Sequence, residues 1–178
     1  MAVCKLTKDI LKADVCDYSL KQITDLYFAN YADVTSTTVG TDGSREVATI
    51  TLSASAKFYH LEPNKDSATY NDDLTVGDSG SKYRVSTVSF SLGGVYDSDA
   101  VDALDALSLG RYVIVAALSD GSYIMFGRQV PMEASAASFQ SAAEATGFNG
   151  TTYTFTANTN ESPLPLAEAA IKTVKGTV

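Results

Sequence analysis

A chain of 178 residues with 45% apolar and 19% charged side chains holds enough apolar material for one cored domain without disulfide staples. Its 13 Lys and Arg against 21 Asp and Glu leave a formal charge of −8, which argues against wrapping duplex DNA and against docking on anionic lipid. No run approaches the ~18 apolar residues of a membrane span, and the N-terminal segment lacks the apolar centre of a secretory signal, so a protein made in the cytosol, kept there or carried out after assembly, is expected.

Residues 6–14 read as a short helix capped at Thr7. Cys4 and Cys16, the only two cysteines, flank this segment and read as free thiols. Gln22 to Ala29 is a strand, with Ile23, Leu26, Tyr27 and Phe28 in one short run. Residues 35–45 are rich in Thr, Ser, Gly and Asp and read as a loop. Val47 to Leu61 is strand-like with a bend at Ser53–Ala56. Ala48, Ile50 and Leu52 share one face, Val47, Thr49 and Thr51 the other, and Pro63 ends the run. Residues 67–76 read as a further strand or as part of a long arm spanning about 63–82, with a turn at Gly77–Ser81. Lys82 to Leu92 is the clearest strand, with Val88, Phe90 and Leu92 on one face.

Ser98 to Leu109 is the best helix, with Val101, Leu104 and Leu107 on one side and Asp99, Asp102 and Asp105 beside them. Asp97 or Ser98 caps it and Gly110 follows its end. Tyr112–Ala117 and Ser122–Phe126 form a hairpin around Asp120-Gly121. Both its strands are apolar on both faces, which places them at the buried centre of a sheet. Residues 132–145 are Ala-rich with no β-branched residue before 145, and are assigned as strand from their setting. Gly147–Gly150 is a turn, Thr151–Ala157 an alternating strand, and Leu166–Val174 a short terminal helix in a tail of residues 166–178. The expected fold is a single mainly β domain over residues 1–165, an antiparallel β-sandwich or barrel with one flanking α-helix.

No catalytic constellation stands out. Gly77-Asp78-Ser79-Gly80 resembles the nucleophile segment of trypsin-like proteases, and His60 and Asp72 are the nearest partners. All three would sit on one β-arm, whereas a triad is held by distant parts of a scaffold, so a tight turn is the better account. The acidic set on the helix lacks the Gly and Glu of a Ca²⁺ loop. A single histidine and two cysteines fall short of a four-ligand metal centre, so no metal, no cofactor and no enzyme activity are expected. Asn149-Gly-Thr and Asn160-Glu-Ser match the glycosylation pattern but read as loop residues. Ten tyrosines leave Tyr27, Tyr31, Tyr59, Tyr70, Tyr83 and Tyr96 as candidate contacts with other chains, because tyrosine is enriched at interfaces.

The order of segments carries a resemblance. Ile23-Thr-Asp-Leu-Tyr-Phe-Ala-Asn-Tyr-Ala-Asp33 comes first, then Phe58-Tyr-His-Leu-Glu-Pro-Asn-Lys65 and the Lys82–Leu92 strand. After the helix come Val113-Ile-Val-Ala-Ala-Leu-Ser-Asp-Gly-Ser-Tyr-Ile-Met-Phe-Gly127, then Gly147-Phe-Asn-Gly-Thr-Thr-Tyr-Thr-Phe-Thr-Ala157, and Glu161 before prolines. Across most of residues 15–165 this is similar to small virion structural proteins of tail-tube type from tailed bacteriophages and prophages of gut Bacteroidales. The tail from Leu166 and the Ala-rich 134–145 stretch depart from that pattern. The resemblance implies a β-sandwich or barrel subunit that forms homo-oligomeric rings, hexameric or higher, stacked into a tail tube. It implies contacts with other tail or head proteins, DNA passing through without specific binding, and a place in the virion after assembly in the bacterial cytoplasm. A head-decoration or head–tail connector protein, or a monomeric ligand- or carbohydrate-binding β-sandwich, remain alternatives.

Overall fold

The computed structural model describes residues 21–40, 45–94, 98–143 and 147–176. The expected helix at 6–14, both cysteines, Tyr96 and the Asp97 cap lie outside these residues. The chain runs β1 (Ile23–Asn30), a single 3₁₀ turn (Tyr31–Asp33), β2 (Val34–Val39), β3 (Val47–Leu52), β4 (Tyr59–Leu61), β5 (Thr69–Val76) and β6 (Lys82–Gly93). Then follow α1 (Ser98–Leu109), β7 (Arg111–Leu118), β8 (Tyr123–Phe126), β9 (Met132–Gln140), β10 (Gly150–Thr159), β11 (Leu164–Pro165) and α2 (Glu168–Lys175). The described strands form a nine-stranded sheet and a separate β2–β3 pair, and every strand pairing is antiparallel.

β7 is the hinge of the architecture. Its residues 112–118 pair with β1 along one edge, and 114–117 pair with β8 along the other. Beyond β8 that second edge passes to β9, at Arg111↔Glu133 and Tyr112↔Met132. Gly127 makes the corner between β8 and β9. Its φ of +80° is open to glycine, and a Cβ there would press on the Tyr112 carbonyl and Met132. The sheet folds back at this corner. β4–β1–β7–β8–β11 forms one layer and β9–β10–β6–β5 the other, a sandwich.

Alternation places the core. Leu26 and Phe28 of β1, Ile114 and Ala116 of β7, Val88 and Phe90 of β6, and Tyr153 and Phe155 of β10 all face inward and are buried. The aromatic rings interlock, with Phe28 edge-on to Phe90 at 5.8 Å and to Tyr112 at 5.7 Å. Such contacts add to area burial. The opposite face of β7 carries Val113, Val115 and Ala117, which join Val47, Ile50, Phe58, Met125, Leu166, Ala170 and Val174 in a second core. The β2–β3 pair and α2 cover this face. β7 is therefore buried on both sides, as its unbroken apolar run requires.

Two local expectations change. Residues 35–45 do not form a loop throughout: Val34–Val39 is strand β2, zipped to β3 with Thr38 and Thr49 hydroxyls 2.6 Å apart. Its Val and Thr residues are β-branched and suit a strand; the register skips Ala48, and this bulge turns Val47 inward beside Ile50 instead of onto the face of Thr49. Gly110 does not close α1 in a left-handed conformation. It passes so close to Tyr112 that a Cβ would overlap the phenol ring.

The segment expected as an arm is laid down as an edge strand. β5 pairs with β6 over its whole length, from Thr69↔Ser89 to Val76↔Lys82. Residues 166–176 pack as part of the domain: Leu166 forms a parallel bridge with Val47, and Ala170 and Val174 of α2 are buried.

Candidate functional site

The sheet path ends at β5, whose outer edge carries no strand among the described residues. The register puts Tyr70, Asp72, Leu74 and Val76 on the same face as Val88, Ser86 and Arg84 of β6. Val88 lies under the opposing layer and is buried; farther along the hairpin that cover ends. Leu74 and Val76 are 56% and 57% exposed. Thus the core-facing side of the β5–β6 hairpin continues past the sandwich as an apolar overhang. Arg84 and Asp72 make a 2.6 Å ion pair there, and Ser86 donates to the same carboxylate at 2.9 Å. The hairpin tip is the Gly77–Ser81 turn, closed by Gly77 N–H to the Ser81 carbonyl at 2.8 Å, with Gly80 at φ +78°.

The protease-like set is dispersed. Ser79 Oγ bonds Ser81, Asp72 holds Arg84, and His60 pairs with Asp25. The six candidate tyrosines divide. Tyr27 is half-buried between the His60 ring at 4.9 Å and Tyr123 at 6.3 Å, and Tyr31 donates its hydroxyl to the Gln129 carbonyl at 2.9 Å. Tyr59, Tyr70 and Tyr83 keep 55%, 38% and 36% of their surface exposed, and Tyr70 also leans on Phe126 at 5.5 Å. Tyr96 lies outside the described residues.

A cleft of about 650 Å³ opens at the end of the sandwich beneath α1. Leu104 and Leu107 form its roof; Phe28, Leu61, Leu92 and Tyr112 its walls; Asn30, Glu62, Asn64 and Thr151 its polar rim. Two tyrosines tie the helix down here: Tyr112 donates to the Ala106 carbonyl at 2.5 Å and Tyr153 to the Leu104 carbonyl at 3.2 Å. Burial raises the pKa of both phenols. No buried side-chain polar atom lacks a hydrogen-bond partner among the described residues. None is therefore left over to mark a ligand contact inside the cleft.

Two charged clusters escape a sequence reading because their members lie far apart in the chain and meet only in the fold. Glu161, 8% exposed, is gripped by Arg128 through Nε–Oε2 and Nη2–Oε1 contacts of 2.6 Å each, with Arg45 at 3.4 Å. Burial pushes its carboxyl pKa up, but the Arg128 hydrogen bonds and charge outweigh this and hold it below the usual glutamate value. Asp25, His60 and Glu62 gather on the outer face of β1 and β4. At Asp25, burial again raises the pKa; hydrogen bonds from His60 and Thr24 and the charges of His60 and Lys175 bring it below the ordinary value.

Among the described residues no helix is long and apolar enough to cross a membrane. The comparisons add no relative to this picture, since no protein-family model, curated protein or solved structure matches the chain.

Proposed function

We propose that this chain is a non-enzymatic structural subunit that assembles with copies of itself into rings and stacked tubes, a tail-tube or tail-ring subunit of a phage virion. The observation that carries this reading is the β5–β6 overhang. A strand edge left open by the described residues, beside exposed Leu74 and Val76, is a template for pairing with another chain. Charged residues commonly blunt such edges; here Asp72 is tied to Arg84 and Asp73 is exposed, while Leu74 and Val76 stand uncovered nearer the hairpin tip. Contacts between two different surfaces of one subunit close into a ring when the rotation permits. The excess of acidic groups suits a conduit, because a negative wall repels the DNA backbone and lets it slide. Other virion proteins would be its neighbours, and the virion its destination.

Native mass and negative-stain imaging of the same purified sample test the reading. Rings or tubes are expected for the wild type. Leu74→Glu/Val76→Glu should stay folded, because both side chains are solvent-exposed already, and should remain monomeric. Assembly undiminished in this double variant would remove the overhang from the account.

A second reading, a monomeric domain binding a small apolar ligand, is favoured by the cleft under α1. Its volume lies within the ~300–1,000 Å³ of small-molecule sites, and its lining is mainly apolar. A stable monomer at every concentration would favour it.

A further inference from the structure

We propose that Asp25, His60 and Glu62 form a divalent-metal site of the Zn²⁺, Co²⁺ and Ni²⁺ class, bridging strands β1 and β4. This inference stands apart from the assembly reading and survives its failure. The two strands pair with Tyr27 opposite His60 and Leu26 opposite Leu61. That register brings Asp25 alongside Glu62 and puts both carboxylates on the face that bears the imidazole. One ligand atom from each of the three residues lies within 4.8 Å of the other two; ligands about 2.0–2.2 Å from one ion stand at most about 4.4 Å apart, so a small rotation of the exposed Glu62 side chain would bring the three onto one cation.

Like charges set against each other across a ladder oppose pairing. At Asp25 the nearest nitrogen is His60 Nε2, within hydrogen-bond distance at 2.7 Å, while the Lys175 ammonium sits over the Tyr123 ring at 5.2 Å. A divalent ion would neutralise both carboxylates at once. The donor set selects its class: one imidazole nitrogen with two carboxylates suits borderline transition ions better than Mg²⁺ or Ca²⁺, which favour all-oxygen shells. Three protein ligands leave positions for water. The ring is positioned in advance, because Tyr27 stacks on it at 4.9 Å with 26° between planes.

The site has a mechanical consequence. β4 is a three-residue edge strand held to the sheet only by β1 among the described residues. Asp25 belongs to β1, while His60 and Glu62 belong to β4 and the residue after it. A bound ion therefore clips β4 down, and with it the Leu61–Glu62 wall of the cleft. The signal was invisible in sequence, where Asp25 and His60 are 35 positions apart.

The experiment uses the full chain with Cys4 and Cys16 changed to Ser, so that no thiol competes. His60 is the only histidine, and its imidazole proton signals report the site without ambiguity. ZnCl₂ should shift these signals to a plateau at one equivalent, and CoCl₂ should broaden them together with the Tyr27 ring signals. Calorimetry should give one Zn²⁺ per chain. Glu62→Gln, at an exposed position beyond the end of β4, should weaken binding at least about tenfold, the lower bound known for perturbing a metal site's supporting groups. Thermal unfolding should rise with Zn²⁺ in the parent and much less in Glu62→Gln, because an ion that binds only the folded state stabilises it. Imidazole signals unmoved by excess Zn²⁺ would overturn the proposal. So would equal affinity in Glu62→Gln.

Discussion

Arg128 and Glu161 show how much one buried pair can hold. The guanidinium meets the carboxylate through two parallel contacts of 2.6 Å, and Arg128 Nη1 also reaches Thr37 Oγ1 at 3.3 Å. One side chain thus links the segment after the Gly127 corner to the end of β10 and to β2. Arg128→Ala would leave a carboxylate that is nearly inaccessible to water with only the 3.4 Å contact to Arg45. A loss of about 3 kcal/mol is expected, the low end for breaking a buried pair, since Arg45 remains and Arg128 itself keeps some contact with solvent. Arg128→Lys should recover only part, because an ammonium lacks the two-pronged geometry. The sign of the pH dependence follows from Glu161, whose folded pKa lies below the ordinary 4.5. The stabilisation is complete above that value and vanishes as pH falls through the lowered folded pKa. Urea unfolding of wild type and Arg128→Ala should therefore differ at pH 7 and converge at strongly acidic pH. A gap that persisted in acid would mean the arginine acts through its packing and its Thr37 contact rather than through the Glu161 charge. None of this was legible beforehand: Glu161 stood out only as an acid before prolines, and its partner lies 33 residues away.

At the scale of elements, local pattern was a good guide where a strand or helix carried its own alternation. Lys82–Leu92, Thr151–Ala157, Ser98–Leu109 and the Asp120-Gly121 hairpin all sit where periodicity and turn chemistry put them. The Ala-rich β9 is a different case. Its composition favours helix, yet its backbone is drawn into the ladder by β10, from Gly150↔Gln140 to Thr156↔Glu133. Neighbouring strand edges supply the hydrogen bonds, and propensity yields. β2 misled for the opposite reason, since its Thr and Ser residues look like loop when the partner β3 is out of view. The C-terminal segment reads as a tail with a legible helix, but its packing is not written in its local pattern. Leu166, Ala170 and Val174 fill the second core, and the Ala167 N–H donates to the Val47 carbonyl at 2.9 Å. Burial of Leu and Val contributes about 1.5–3 kcal/mol apiece. Deleting residues 166–178 should therefore lower the free energy of unfolding by about 4 kcal/mol and uncover Val47, Ile50 and Met125. Urea titration checks the first and binding of a hydrophobic dye the second. A truncated chain as stable as its parent would make the segment an appendage.

For the whole molecule, charge and shape pull in opposite directions. Each copy carries a formal −8, so copies repel one another over distances set by the salt. Yet the β5 edge pairs with no further strand among the described residues and exposes Leu74 and Val76, whose attraction is short-ranged and does not depend on charge. Which effect prevails is a matter of ionic strength. The screening length falls from about 30 Å at about 0.01 M salt to about 3 Å at about 1 M. In dilute salt the repulsion reaches well beyond the contact; in concentrated salt it is confined to touching groups, while the apolar contact is untouched or strengthened. Self-association through the overhang should accordingly rise with salt. Sedimentation velocity across that range should show monomer giving way to larger species as salt increases, and Leu74→Glu/Val76→Glu should stay monomeric throughout. The opposite trend, assemblies that dissolve as salt is added, would mean the copies are held by ion pairs. The contact would then have to be sought among the charged groups of the surface, and the apolar edge would lose its role.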